Sequence, residues 1–104
     1  MLQFLLNVHV FGQDLQVATE APRVASYNFP SSFEPHEALP GRLMLEGAID
    51  DGAARRLALL GHDVDWWPER AWQAGAICAL RIDPQTGVIE AAADPRRPSY
   101  ALGW

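Results

Sequence analysis

The sequence predicts a single α+β module, and three observations carry that expectation. Two apolar runs, Ala76-Ile77-Cys78-Ala79-Leu80-Arg81-Ile82 and Val88-Ile89-Glu90-Ala91-Ala92-Ala93, flank the turn-forming stretch Asp83-Pro84-Gln85-Thr86-Gly87, the pattern of a β-hairpin. Asp51 to Leu60 has helical periodicity between an acidic cap and a glycine. Short strand-like stretches and a long irregular segment lie between these two features and the N-terminus.

Taken in order, Leu2, Leu5, Leu6 and His9 share one helical face while Phe4, Val8 and Phe11 share another. Such a segment is apolar on nearly all sides and is expected to be buried. No Ser, Thr, Asp or Asn precedes it to serve as N-cap, which suggests a chain that continues from something longer. Gly12 is placed to end this helix, and Asp14 to cap a second one, Leu15 to Glu20, stopped by Pro22. Arg23 to Tyr27 alternates as a strand does. Asn28 to Gly41 then holds Pro30, Pro35, Pro40 and several small polar residues, so it is expected to be a long loop, and loops of that length are usually functional or disordered.

Arg42 to Glu46 is the next expected strand. In the helix from Asp51 to Leu60, Asp50 is the cap, Ala53, Ala54, Leu57, Ala58 and Leu60 form the buried side, Arg55 and Arg56 point outward, and Gly61 is the terminator. Aspartates at its start and arginines near its end match the helix dipole. His62 to Trp67 leads into a strand ended by Pro68. In the hairpin, Pro84 pre-sets one turn torsion and Gly87 can take the positive φ that closes the turn. Two near-continuous apolar strands call for cover on both faces.

The chain has 104 residues, 49% of them hydrophobic, enough for one core and too apolar for disorder. Eight arginines and no lysine stand against thirteen acidic residues, a net charge of −5 with no basic stripe, which argues against a nucleic-acid partner. The N-terminal apolar stretch lacks a basic lead and a cleavage pattern and is too short to span a bilayer, so neither a signal peptide nor a membrane anchor is expected.

Residues with chemical potential were weighed against structural roles. Cys78, alone and inside an apolar strand, is expected to be a buried thiol rather than a nucleophile. His36 with Glu34 and Glu37, and His62 with Asp63 and Asp65, lack the ligand spacing of zinc or calcium sites, so no metal is expected. Trp66, Trp67 and Trp72 around Pro68 suggest an aromatic contact surface. Asp94 and Arg96 suggest a salt-bridged brace, with Arg23 as another charge in need of a partner.

Three stretches resemble one family. They are Gln3-Phe4-Leu5-Leu6-Asn7-Val8 with Phe11-Gly12, Leu15-Gln16 and Ala21-Pro22-Arg23; then Leu45-Glu46, the helix bearing Leu57, and Gly61-His62-Asp63-Val64; then Gly87 with Ala91-Ala92-Ala93-Asp94-Pro95-Arg96. In order and spacing they are similar to the C-terminal part of the small subunit of γ-glutamyltransferases, which are N-terminal-nucleophile hydrolases. The resemblance implies a C-terminal segment of a four-layer αββα sandwich, mostly antiparallel sheet covered by helices, with Gly75 to Ala93 in a central sheet and the Asp51 to Leu60 helix covering it.

It also implies an enzyme that transfers or hydrolyses γ-glutamyl or related amide bonds through an N-terminal threonine. That threonine and the pocket's glycine pair would lie upstream of this chain. The only threonines here, Thr19 and Thr86, fall in a helix and a turn. Catalytic, cofactor-binding and metal residues are therefore expected to be none, and the chain alone to be inactive. The segment Ser26 to Gly41 is longer and more aromatic than in typical members, leaving the substrate open. The expected partner is the rest of the parent enzyme, or copies of this chain meeting through Leu2, Phe4, Leu5, Leu6 and Val8. The competing reading is a stand-alone interaction module using the tryptophans and the Phe29 to His36 loop.

Overall fold

The computed structural model describes residues 1–103. Its elements run α1 (Leu2–His9), α2 (Leu15–Glu20), β1 (Val24–Ser26), β2 (Arg42–Glu46), α3 (Asp51–Leu59), β3 (Asp63–Trp67), a 3-10 turn (Trp72–Ala74), β4 (Cys78–Ile82) and β5 (Ile89–Ala93). They divide into two compact units, one formed by residues 1–21 with 75–104 and the other by residues 22–74.

In the first unit, β4 and β5 form an antiparallel hairpin in which Cys78 pairs with Ala93, Leu80 with Ala91 and Ile82 with Ile89. The turn closes as the sequence predicts. Gly87 has φ +73° and donates its N–H to the Asp83 carbonyl at 2.8 Å. Asp83 also accepts from the Thr86 hydroxyl at 2.7 Å and the Gln85 N–H at 2.8 Å. Those two bonds, the hydroxyl first, hold its carboxyl below the ordinary aspartate value of 3.8.

Phe4, Val8, Leu15, Ala18 and Ala92 make the core of this unit, with Ile77 and Ala79 packed against it. Cover on both hairpin faces is not what the unit provides. Ala79 and Ala92 face the helices, whereas Leu80 and Ile89 on the opposite face are each 62% exposed. Likewise α1 buries only Phe4 and Val8, and leaves Leu2, Leu5 and Leu6 exposed. Within this unit the helix contacting the hairpin is α2. As predicted, Asp14 caps α2, its carboxylate accepting from Gln16 N and Val17 N.

The second unit is a three-stranded sheet in the order β1-β2-β3. β1 runs antiparallel to β2, while β3 runs parallel to β2 after a crossover through α3, so this sheet is mixed. A central strand covered on both faces explains why Leu43-Met44-Leu45 is uninterrupted apolar sequence. Leu43 and Leu45 pack with Ala54 of α3, and Met44 packs on the other face with Trp67 and Ala71.

Asp50 caps α3 through the Ala53 N–H at 2.9 Å, and Gly61 follows it with φ +96°. Of the side expected to be buried, Ala54 is, while Ala58 and Leu60 are exposed. The helix covers only one short strand pair, so its apolar stripe is wider than the surface beneath it. Asn28 to Gly41 forms no helix or strand, and is closed at its root by Leu39 N to Tyr27 O (3.1 Å) and Gly41 N to Asn28 Oδ1 (2.6 Å).

Two predictions follow from these termini. Gly61→Ala should destabilise the protein by about 1 kcal/mol, read as a lower thermal midpoint, because alanine is strained at positive φ. Asp83 has a folded pKa below its unfolded one, so its contribution is present above the ordinary value of 3.8 and is lost as pH falls through the lowered folded value. Amide exchange at Gly87, corrected for chemical exchange, should therefore accelerate from pH 5 to pH 2, and Asp83→Asn should flatten that response.

Candidate functional site

The strongest concentration of buried polar groups lies where β5 ends. Asp94 is completely buried, and each of its oxygens is engaged. Oδ2 accepts from the Ile77 N–H at 2.9 Å, fixing the approach to β4. Oδ1 accepts from the Arg96 N–H at 3.0 Å and from Arg96 Nη1 at 3.1 Å, so Pro95 is held inside a tight aspartate-centred turn.

The Arg96 guanidinium then spans from that carboxylate to the C-terminal end of α2. Nη1 donates to the Thr19 carbonyl at 3.1 Å, and Nη2 to the Glu20 and Ala21 carbonyls at 3.4 and 3.0 Å. These carbonyls are among the last ones of a helix, which have no partner within it. A planar fork with several donors suits this task better than an ammonium. Positive charge at that end also meets the helix dipole favourably.

Gln16 ties the same two elements together from the first turn of α2. Its Nε2 donates to the Ala93 carbonyl at 3.0 Å, and its Oε1 accepts from the Ala93 N–H at 3.1 Å. The side-chain amide thus pairs with the end of β5 as a neighbouring strand would. Ser99 closes the exit by donating its hydroxyl to the Asp94 carbonyl at 2.7 Å. The brace read from the sequence is present, and Gln16 is the member that sequence reasoning missed. Only its place beside Leu15 in the motif pointed to it, since a glutamine in a short helix carries no signal of its own.

The second unit also buries charge, at the end of its central strand. Glu46 Oε2 accepts from the Arg23 N–H at 2.8 Å, and Arg23 Nη1 donates to the Ala74 carbonyl at 3.3 Å. Arg23 therefore joins β1 to β2 and to the 3-10 turn. Nearby on β2, Arg42 pairs with Asp65 of β3. The Trp66 N–H and then Arg42 lower the Asp65 carboxyl, and the hydrogen bond with Asp65 raises the Arg42 guanidinium.

Other singled-out residues are dispersed. Cys78 is exposed, not buried, because residue 78 falls on the uncovered face of β4. Trp66 and Trp67 alternate across β3, so Trp67 enters the core beside Met44 while Trp66 lines a groove with Ala54 and Arg55 of α3. With Trp72 exposed on the 3-10 turn, the three do not form one aromatic surface. His36 meets Glu34 at 3.1 Å, Asp65 is taken by Arg42, and no group of three metal-ligating side chains comes together among the described residues. Both threonine hydroxyls are engaged internally, Thr19 with the Leu15 carbonyl and Thr86 with Asp83.

This arrangement can bind backbone and hold strand ends in register. Removing one member of the buried pair leaves the other charge uncompensated. Asp94→Ala and Arg96→Met should each destabilise by about 3–5 kcal/mol in urea unfolding, and the double variant by much less than their sum.

Among solved structures, this chain is similar to a LmbA2991 variant at 39% identity and a TM-score of 0.85, covering 91% of this chain and 17% of that one. It is similar to the gamma-glutamyltranspeptidase from Pseudomonas nitroreducens complexed with L-DON at 24% identity and a TM-score of 0.72, covering 99% of this chain and 47% of that one. The cephalosporin acylase from Bacillus halodurans shares the fold at 22% identity and a TM-score of 0.80, over 98% of this chain and 17% of that one. The chain thus spans under half the length of each of these relatives. Comparison with curated protein sequences returns no match. The sequence profile of the gamma-glutamyltranspeptidase family matches residues 1–104, and the chain belongs to that family, with the mixed α+β architecture of its N-terminal-nucleophile hydrolase relatives.

Proposed function

We propose that this chain is the C-terminal segment of the small subunit of an enzyme that transfers or hydrolyses γ-glutamyl or related amide bonds, and that it acts as scaffold rather than as catalyst. The observation that carries the reading is a family match over residues 1–104 in a chain spanning 17% of LmbA2991 and 47% of the Pseudomonas nitroreducens enzyme. The rest of the polypeptide would then supply the reacting groups and be this chain's main partner.

In the chemistry that the family resemblance implies, a freed N-terminal threonine attacks the amide carbonyl. Its hydroxyl proton passes to its own α-amino group, the amine leaves with a proton, and the resulting ester is opened by water or by a second amine. Neither threonine of this chain suits that role, since each is internal and its hydroxyl is already donated. What the chain contributes is position. Asp94, Arg96 and Gln16 fix the end of β5 against α2, and a pocket resting on these strands would inherit that rigidity.

The test compares the 104-residue chain with a polypeptide extended upstream to include the threonine, using a γ-glutamyl anilide and simple amides. The extended protein should release the aniline or amine, and the 104-residue chain should match buffer. Turnover by the short chain, or none on any of these substrates by the extended one, would overturn the reading.

A further inference from the structure

The polypeptide beyond β5 does not run away from the hairpin. Arg97 donates its N–H to the Asp94 carbonyl at 3.4 Å, and the Ser99 hydroxyl donates to the same carbonyl at 2.7 Å, so the first residues of the tail are tied to the buried brace. A terminal segment tied at its root leaves in a set direction. Ala101, Leu102 and Gly103 then border a cavity of about 720 Å³ together with Leu80 of β4 and Ile89 and Ala91 of β5. The tail has turned back along the hairpin.

That cavity lies on the hairpin face that the helices leave bare. Leu80 and Ile89 stand on one wall, each more than half exposed, and Leu102 on the other wall is 73% exposed. Among the described residues no charged side chain borders the cavity, so closing it would strand no ion and would take three large apolar groups out of water. Each wall is the cover that the other lacks. Both walls belong to one chain and one compact unit, so they can meet without the loss of translational freedom that a separate molecule incurs on binding. The tail is therefore the favoured occupant.

We propose that residues 97–103 form a strap that closes over the bare face of the hairpin and seats Leu102 between Leu80 and Ile89. Open, the strap leaves an apolar cavity; closed, it supplies from the same chain the second apolar layer that two near-continuous apolar strands call for. Any outside apolar segment or ligand that uses this face must first displace it.

Methyl NOE spectroscopy of the 104-residue chain tests this, with isotope-filtered spectra of mixed labelled and unlabelled protein to separate contacts within a chain from contacts between copies. The Leu102 methyls should show cross-peaks to those of Leu80 and Ile89 within one chain. Leu102→Asp should abolish the cross-peak between Ala101 and Ile89 and raise the fluorescence of added anilinonaphthalene sulfonate, which reports exposed apolar surface. Tyr100→Ser, at an exposed residue off the cavity, should change neither. Absence of the Leu102 cross-peaks, cross-peaks only between copies, a Leu102→Asp chain that keeps the Ala101 contact and the original fluorescence, or an equal rise with Tyr100→Ser would each overturn the proposal.

Discussion

The Arg96 guanidinium is the point on which the first unit depends. It contacts a buried carboxylate and three carbonyls at a helix end, and each of these groups would be costly to leave unpaired away from water. Asp94 in turn is neutralised by Arg96 and fixed by the Ile77 N–H. Loss of either residue therefore loosens the hairpin exit, the entry to β4 and the end of α2 together. A two-stranded hairpin is marginal by itself, and α2 has only six residues. The brace makes one cooperative object from two elements too small to persist apart.

The second unit solves the same problem with different means. Its central strand β2 is paired on both edges and apolar on both faces, so hydrophobic burial replaces the ionic brace as the main organising force. Charge enters at the strand ends, where Arg23 and Glu46 link β1 to β2, and Arg42 and Asp65 link β2 to β3. The half-buried Arg42–Asp65 pair is worth less than the buried Asp94–Arg96 pair. Each nevertheless marks a register.

Much of this was legible in the sequence because it rests on local rules. The caps Asp14 and Asp50, the glycines at 61 and 87, and strand β2 from Arg42 to Glu46 follow from backbone geometry and short-range periodicity. What was not legible depends on which surface a neighbour covers. Cys78, Leu60 and Leu2 read as interior from their apolar type, yet they are exposed. Composition states what a residue prefers; topology decides whether cover exists. The parallel pairing of β2 with β3 was equally hidden, since a strand–helix–strand string fixes direction only once both strands join one sheet.

The candidate site divides along the same line. Asp94 and Arg96 could be singled out because two opposite charges flank a proline at a strand exit, where buried charge demands a partner. Their role could be settled only by the carbonyls of Thr19, Glu20 and Ala21, about 75 residues earlier in the chain, and by the amide of Gln16. The role of such a group is set by main-chain atoms far away in the sequence. If the segment supports chemistry performed elsewhere, the constraint falls on groups that hold strand ends still. Those are buried side chains paired with main-chain atoms, and they look inert when each is inspected alone.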